Sequence, residues 1–341
     1  MSKRHSHELL ALNIAAPPRW MGSAHLQTIL PALWFGRSAH WLGARRERWA
    51  TPDKDFLDVD RLEPREGSGS HPLPLLVLFH GLEGSISSHY ALSFAVRCLM
   101  LGWGFALPHF RGCSGTINLA PRAYHSGDHE EIDWILRRFR KESPQRPVFA
   151  VGVSLGGNAL MKWAGTQGDA AASVVAAVAS VCAPLDLSAC GFAMGQGFNR
   201  AVYTRMFLRT MLPKAEAKWR QHPGLFDIER VKAAATLYEF DDAFTARLHG
   251  FASAEDYWTR ASAKPSLSHI RLPCLLLNAL NDPFVPSGSL PVASELPDAI
   301  RLWTPSHGGH VGFPSVHGKL KCGFRADEMP RAVVSWLAST L

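Results

Sequence analysis

The chain has 341 residues, 47% of them hydrophobic and 19% charged, with a formal net charge of +7. That length holds one large α/β domain or two small ones and supplies a full core, and no apolar run of about 18 residues is present to span a bilayer. The histidines are scattered without an H-E-x-x-H pair, the six cysteines form no C-x-x-C, and no basic stripe falls on a recognised nucleic-acid motif, so neither a metal, nor a cofactor, nor a nucleic-acid partner is expected.

The charge is lopsided. Residues 1–50 hold seven Lys/Arg against two Glu, together with Trp20, Trp34, Phe35, Trp41 and Trp49. This pattern fits an arm packed on the domain with its charges solvated. A weak membrane-surface contact is the competing expectation. The opening Lys3-Arg4-His5-Ser6-His7-Glu8 is followed by only a few apolar residues before Asn13, which is not the continuous core of a secretory signal. Cysteines 98, 113, 182, 190, 274 and 322 lie singly, several in apolar runs, as in a reducing compartment. A cytoplasmic location is expected.

In chain order, Arg45–Thr51 and Phe56–Leu62 flank Pro52-Asp-Lys-Asp55 and read as a hairpin, closing an arm over residues 1–70. Glu63–Pro74 is a Gly/Ser/Pro/His-rich loop. Leu75-Leu-Val-Leu-Phe79 is apolar throughout, as strands buried in a parallel sheet are. It ends in His80-Gly-Leu-Glu-Gly84, where His80 shapes the loop and Glu83 is expected in solvent. A helix follows over Ser87–Leu101, then a strand at Gly104–Pro108. Asp128 and Glu131 have capping-box spacing, and Ile132, Ile135, Leu136 and Phe139 mark one buried helical stripe.

Val148-Phe-Ala-Val-Gly-Val-Ser-Leu-Gly-Gly157 joins an apolar strand to a helix through Gly152-Val-Ser-Leu-Gly156. In this G-x-S-x-G context a sharp turn lifts the serine hydroxyl above a sheet, and glycines give the backbone room. A serine nucleophile needs a base and a group that orients the base. After Ser154 come a helix over Asn158–Gln167 and a strand over Ala176–Cys182. Strand–helix alternation then stops. Residues 186–263 have helical segments around 198–212, 228–237 and 253–261 and read as a helical lid. Within it, Glu239-Phe-Asp-Asp242 with Thr245, Arg247 and His249 reads as helix capping and Asp–Arg pairing. The core resumes near Ile270, so residues 71–185 and 264–341 form its two parts.

Cys274-Leu-Leu-Leu-Asn278 is a further strand. It empties into a turn carrying Asp282, stiffened by Pro283 and Pro286. Ile300–Thr304 is the last strand, before Ser306-His-Gly-Gly-His-Val-Gly-Phe313. Of its two histidines, His310 has the tight glycine turn before it and apolar anchors after it, and His307 braces the loop. Ser154, Asp282 and His310 thus follow the order nucleophile, acid, base, each at a strand's C-terminal end. The backbone N–H groups of Leu155 and Leu82 are the expected oxyanion donors. A closing amphipathic helix covers Glu328–Leu341.

At these residues the chain resembles the YheT-like α/β hydrolases, bacterial relatives of the animal abhydrolase-domain lipases. The resemblance runs through His25-Leu-Gln-Thr28, His80-Gly-Leu-Glu-Gly84, His109-Phe-Arg-Gly-Cys-Ser-Gly115, Tyr124-His-Ser-Gly127, Gly152-Val-Ser-Leu-Gly-Gly-Asn158, Glu239-Phe-Asp-Asp242 with Gly250-Phe251, and His307-Gly-Gly-His-Val-Gly-Phe313. It implies an α/β-hydrolase fold, a mostly parallel sheet with helices on both faces, and a charge relay on Ser154, Asp282 and His310. It also implies hydrolysis of carboxylic esters, with lipid-like esters in the animal relatives. The animal relatives usually carry an N-terminal membrane anchor, and this sequence shows no such segment. The expected function is a cofactor-free serine esterase acting on a small-molecule ester, short- to medium-chain or lipid-like. The rival expectations are an acyltransferase or thioesterase on the same three residues, and a non-catalytic binding protein.

Overall fold

The computed structural model describes residues 12–35, 42–64, 72–316 and 323–341. Lys3, Arg4, Arg37, Trp41, Cys322 and most of the Gly/Ser-rich loop after Glu63 lie outside them. Eight strands form one sheet: β1 (Arg45–Ala50), β2 (Phe56–Leu62), β3 (Leu75–Phe79), β4 (Gly104–Pro108), β5 (Val148–Val153), β6 (Ala177–Val181), β7 (Cys274–Leu277) and β8 (Ile300–Trp303). The spatial order is β1-β2-β4-β3-β5-β6-β7-β8. β1–β2 and β2–β4 pair antiparallel, and every other neighbour pair is parallel.

Side chains of successive residues point to opposite faces of a strand, so each fully apolar strand feeds two cores. Leu75, Val77 and Phe79 join one, with Val148, Ala150 and Leu276. Leu76, Leu78, Phe149, Val151 and Leu275 join the other. Among the described residues α1 (Ala24–Phe35) belongs to the arm, followed by α2 (His89–Met100), α3 (His129–Glu142) and α4 (Leu155–Gln167). α3 and α4 cover the first face through Ile132, Ile135, Leu136, Phe139, Ala159 and Leu160. α2 and the closing helix, Glu328–Ala338, cover the second through Phe94, Cys98, Val333, Val334 and Leu337.

Asp128 does precede α3, yet its side chain caps no backbone N–H. Arg122 takes the Asp128 carboxylate at 2.6 Å, and buried Arg111 takes Glu131 at 2.6 Å while also pairing with Asp55 and Asp53. Charges closed off from water need opposite charges, and that demand overrides the capping-box pattern.

The described arm packs against the domain, as its Met21, Gln27 and Thr28 are buried. Its arginines are not simply solvated, however. Arg46 and Arg48 on β1 reach across to Asp60 and Asp58 on β2, at 2.7 and 2.8 Å, and Arg45 pairs with Glu47. Directly opposed strand residues are close enough for such pairing.

Between β6 and β7 the chain forms α5 (Leu187–Met194), a π-helical turn at Asn199–Thr204 that runs into α6 (Arg205–Gln221), α7 (Ile228–Lys232), α8 (Leu237–Phe240), α9 (Ala246–His249) and α10 (Ala254–Ala261). The expected segment at 228–237 is in fact two helices, because Thr236 and Glu239 make a reciprocal capping box that starts α8 afresh. Asp242 pairs with Arg230 at 3.0 Å, fastening α7 to the segment after α8. No helix among the described residues is long and apolar enough to cross a membrane.

Candidate active site

Ser154 stands between β5 and α4 with φ +53° and ψ −120°, a conformation that L-residues rarely adopt. The flanking glycines permit it. A Cβ on Gly156 would lie 2.4 Å from the Phe79 carbonyl oxygen, and one on Gly152 would lie 2.4 Å from that of Gly156. The turn is therefore squeezed between the end of β3 and its own helix. The Ser154 N–H donates to Val181 O at 2.8 Å, which ties the turn to β6.

The structure brings Ser154, His310 and Asp282 together from turns after β5, β8 and β7. Asp282 Oδ2 accepts a hydrogen bond from His310 Nδ1 at 2.9 Å. That leaves Nε2 to accept from the Ser154 hydroxyl, also at 2.9 Å. Asp282 Oδ1 accepts from the Phe284 N–H at 2.8 Å, and the Phe284 ring stacks on His310 with centroids 4.1 Å apart. The imidazole is thus fixed in tautomer by the carboxylate and in plane by the ring. His307 is exposed, so bracing of this loop falls to other residues.

Those residues come largely from the arm. Gln27 Oε1 accepts from the Gly308 N–H and from Asn281 Nδ2, both at 2.9 Å. Thr28 Oγ1 accepts from the His310 N–H at 2.9 Å, and Asn281 Oδ1 from the Gly309 N–H at 3.0 Å. Sequence reasoning missed these three roles. For Gln27 and Thr28 the one signal was the His25-Leu-Gln-Thr28 motif, and for Asn281 its place beside Asp282.

Leu82 and Leu155 lie beside the serine. A Cβ on Gly81 would come within 3.1 Å of the Ser154 Cβ, so the loop after β3 runs alongside it. The peptide linking Gly81 to Leu82 is clamped at its carbonyl end, where Gly81 O accepts from His80 Nδ1 at 2.7 Å and from the Gly84 N–H at 2.9 Å. His80 Nε2 in turn accepts from the Phe110 N–H at 3.0 Å. Burial lowers the His80 pKa to about 3, so the ring stays neutral and keeps both bonds. His80 shapes the loop, as expected. Among the described residues, no backbone carbonyl outside a helix takes the Leu82 or Leu155 N–H.

Glu83 departs from expectation. Its side chain is 9% exposed rather than solvated, and its Oε1 accepts from Lys214 Nζ and Tyr124 Oη, both at 2.8 Å. The nearby Tyr124 ring and Lys214 close it off from water.

A cavity of about 160 Å³ opens beside Ser154 and His310. Leu187, Met194, Phe207, Leu237, Phe284 and Val285 make much of its wall apolar, and Glu83, Lys214 and Asp241 supply charged groups. Cys182, Asp282 and His310 also bring three potential metal-ligand atoms within 4.8 Å of one another. Asp282 and His310 are already engaged with each other and with Ser154, and burial first, and the Asp282 charge next, push the Cys182 thiol well up.

The family model of the alpha/beta hydrolase fold matches residues 74–315. YheT of Escherichia coli (strain K12) is 40% identical over 303 residues, spanning 87% of this chain and 86% of that protein. The phospholipase ABHD3 of Bos taurus is 30% identical over 303 residues, spanning 87% of this chain and 72% of that protein. Among solved structures, Est1E from Butyrivibrio proteoclasticus superposes with a TM-score of 0.54 at 14% identity, covering 86% of this chain and 98% of that one, which is a likeness of fold. A sheet of this order, a serine on the turn after β5, and these matches along most of the sequence lead to one assignment: the chain belongs to the alpha/beta hydrolases, as a relative of YheT and of the ABHD3 phospholipases.

Proposed function

We propose that the protein is a serine carboxylic-ester hydrolase working through an acyl-enzyme. The observation that carries this reading is the unbroken hydroxyl–imidazole–carboxylate chain, 2.9 Å at each link, on the wall of a largely apolar cavity. Ser154 Oγ attacks the ester carbonyl carbon as its proton passes to His310 Nε2. Asp282 keeps Nδ1 protonated and stabilises the imidazolium. The negative oxygen of the tetrahedral intermediate is received by the Leu82 and Leu155 N–H groups, each such donor typically worth about 2.7–4 kcal/mol of barrier. His310 then hands the proton to the leaving alkoxide. Water, deprotonated by the same imidazole, releases the acid and restores Ser154.

The apolar wall and the phospholipase relative support short- to medium-chain or lipid-like esters as substrates. Residues 186–263 serve as a lid, since they supply Met194, Phe207 and Leu237 to that wall. A cytoplasmic setting is supported by Cys98, Cys113, Cys182, Cys190 and Cys274, all free thiols.

A fluorophosphonate probe tests the reading. It should label the protein on Ser154, as located by mass spectrometry. Ser154→Ala should abolish the label and lower kcat by about 10³–10⁶-fold with the circular dichroism unchanged. Label on another residue, or activity retained by the variant, would disprove the assignment. Product analysis with and without added alcohol separates hydrolysis from acyl transfer.

A further inference from the structure

We propose that Lys214, on α6, is a positioning residue for the ester hydrolysis proposed above: through its ion pair with Glu83 it holds in shape the turn that presents the Leu82 N–H. The inference rests on that reading of the site.

Gly81, Leu82, Glu83 and Gly84 form a tight turn closed by the Gly84 N–H to Gly81 O bond of 2.9 Å. Glu83 occupies its third position with φ +57°. Turns of this kind favour Gly or Asn there, because a side chain makes the left-handed region costly. The side chain must therefore be held from outside. Lys214 Nζ donates to Glu83 Oε1 at 2.8 Å, Tyr124 Oη donates to the same oxygen at 2.8 Å, and the Glu83 N–H donates to Tyr124 Oη at 3.1 Å. Lys214 Nζ also lies 3.4 Å from Cys113 Sγ, whose thiol burial pushes up to about 11, so the sulfur is neutral and Glu83 is the anion that Lys214 meets. Of the three residues around Glu83, Lys214 alone comes from the helical insertion; Tyr124 and Cys113 belong to the core before it. The ion pair thus joins the insertion to the loop beside Ser154, and seating α6 completes the turn.

Removing the Lys214 charge leaves the Glu83 side chain held by Tyr124 without its ion pair and loosens the strained turn, which disturbs a donor needed in the transition state more than in the bound ester. The test uses the full chain and a soluble short-chain ester. Lys214→Met should lower kcat at least about tenfold with KM within about threefold. It should weaken an alkyl boronic acid, which mimics the tetrahedral adduct, by the same factor as kcat/KM. Lys214→Arg, which keeps a cation within reach of Glu83, should recover kcat to within about threefold of the natural chain. Glu83→Gln should resemble Lys214→Met, and the double variant should be no worse than either single one.

A raised KM with unchanged kcat would overturn the inference, because Lys214 would then only contact substrate. Wild-type kinetics and boronate affinity in folded Lys214→Met would overturn it too. Failure of the fluorophosphonate to label Ser154 in the natural chain would instead overturn the esterase reading itself. Should Lys214→Met not fold, Lys214→Arg against Glu83→Gln decides the same point: equal loss in both would contradict a role carried by the ion pair.

Discussion

His310 is held through its ring by Asp282, Ser154 and Phe284 and through its backbone by Thr28, whereas His307, three residues earlier, is exposed. Residues of one relay act as a unit, so His310→Ala should lower kcat nearly as far as loss of the serine, by about 10³-fold or more. His307→Ala should stay within about threefold. Steady-state kinetics on the two variants compare them directly, and the opposite ranking would mean that the base has been misassigned. A second residue-scale effect concerns stability. Asp241 accepts from Trp258 Nε1 at 2.8 Å and from Thr245 Oγ1 at 2.7 Å, with no cation paired to it among the described residues. Burial raises its pKa from 3.8 to about 6, against the pull of those two hydrogen bonds. The folded chain thus holds the Asp241 proton more tightly than the unfolded chain does. Its stabilisation is complete below about 3.8 and is lost as pH rises through about 6. Between about pH 4 and about pH 7 the difference in urea stability between Asp241→Asn and the natural chain should therefore move in favour of the variant. A difference that ignores pH would show that Asp241 titrates normally.

At the scale of elements, α1 works as a strap from the arm to the loop after β8. A Cβ on Gly312 would fall 1.7 Å from Gln27 O, and one on Gly309 would fall 2.8 Å from Thr28 Oγ1, so the two segments lie in direct contact. Gln27→Leu keeps the bulk of the side chain and removes the acceptor for the buried Gly308 N–H. An orphaned buried donor costs about 1–3 kcal/mol. Denaturant unfolding should show a loss of that order, and kcat should fall with it, because Gly308 leads into His310. Lost stability with an unchanged kcat would mean that α1 supports the fold without supporting the site. The capping-box misreading belongs to this scale as well. Asp128 and Glu131 have the spacing of a local motif, yet both carboxylates serve arginines brought in by the loops after β4. Capping-box spacing names one local partner and is silent on any other, such as Arg111, 20 residues from Glu131.

For the whole molecule, core and insertion share the cavity: the turns after β5 and β8 bring Ser154 and His310 to it, and the insertion brings Met194, Phe207 and Leu237. If residues 186–263 form a lid that sets acyl preference, replacing them with a short linker should leave hydrolysis of the shortest esters measurable and alter the ranking across a graded acyl series. An unchanged ranking in a folded variant would locate the acyl pocket in the core. The sheet itself was legible in the sequence, because strands buried on both faces are apolar, as β3, β4, β5 and β7 are, while β1 and β2 were marked by the turn between them and edge strand β8, with its Arg301, by the apolar residues beside it. The elbow around Ser154 was legible because its glycines answer to local backbone sterics. Asp282 and His310 were legible because each follows a recognisable strand, and a parallel sheet brings the C-terminal ends of its strands to one edge. What only the tertiary structure decided is who meets these residues from a distance: Gln27 and Thr28 at the His310 loop, Lys214 and Tyr124 at Glu83, Arg111 at Glu131 of α3. Hydrophobic periodicity and turn chemistry are written residue by residue along the chain. Hydrogen bonds and ion pairs between segments tens to hundreds of residues apart depend on loop paths that no local pattern encodes, and they are settled only when the sheet and its layers have closed.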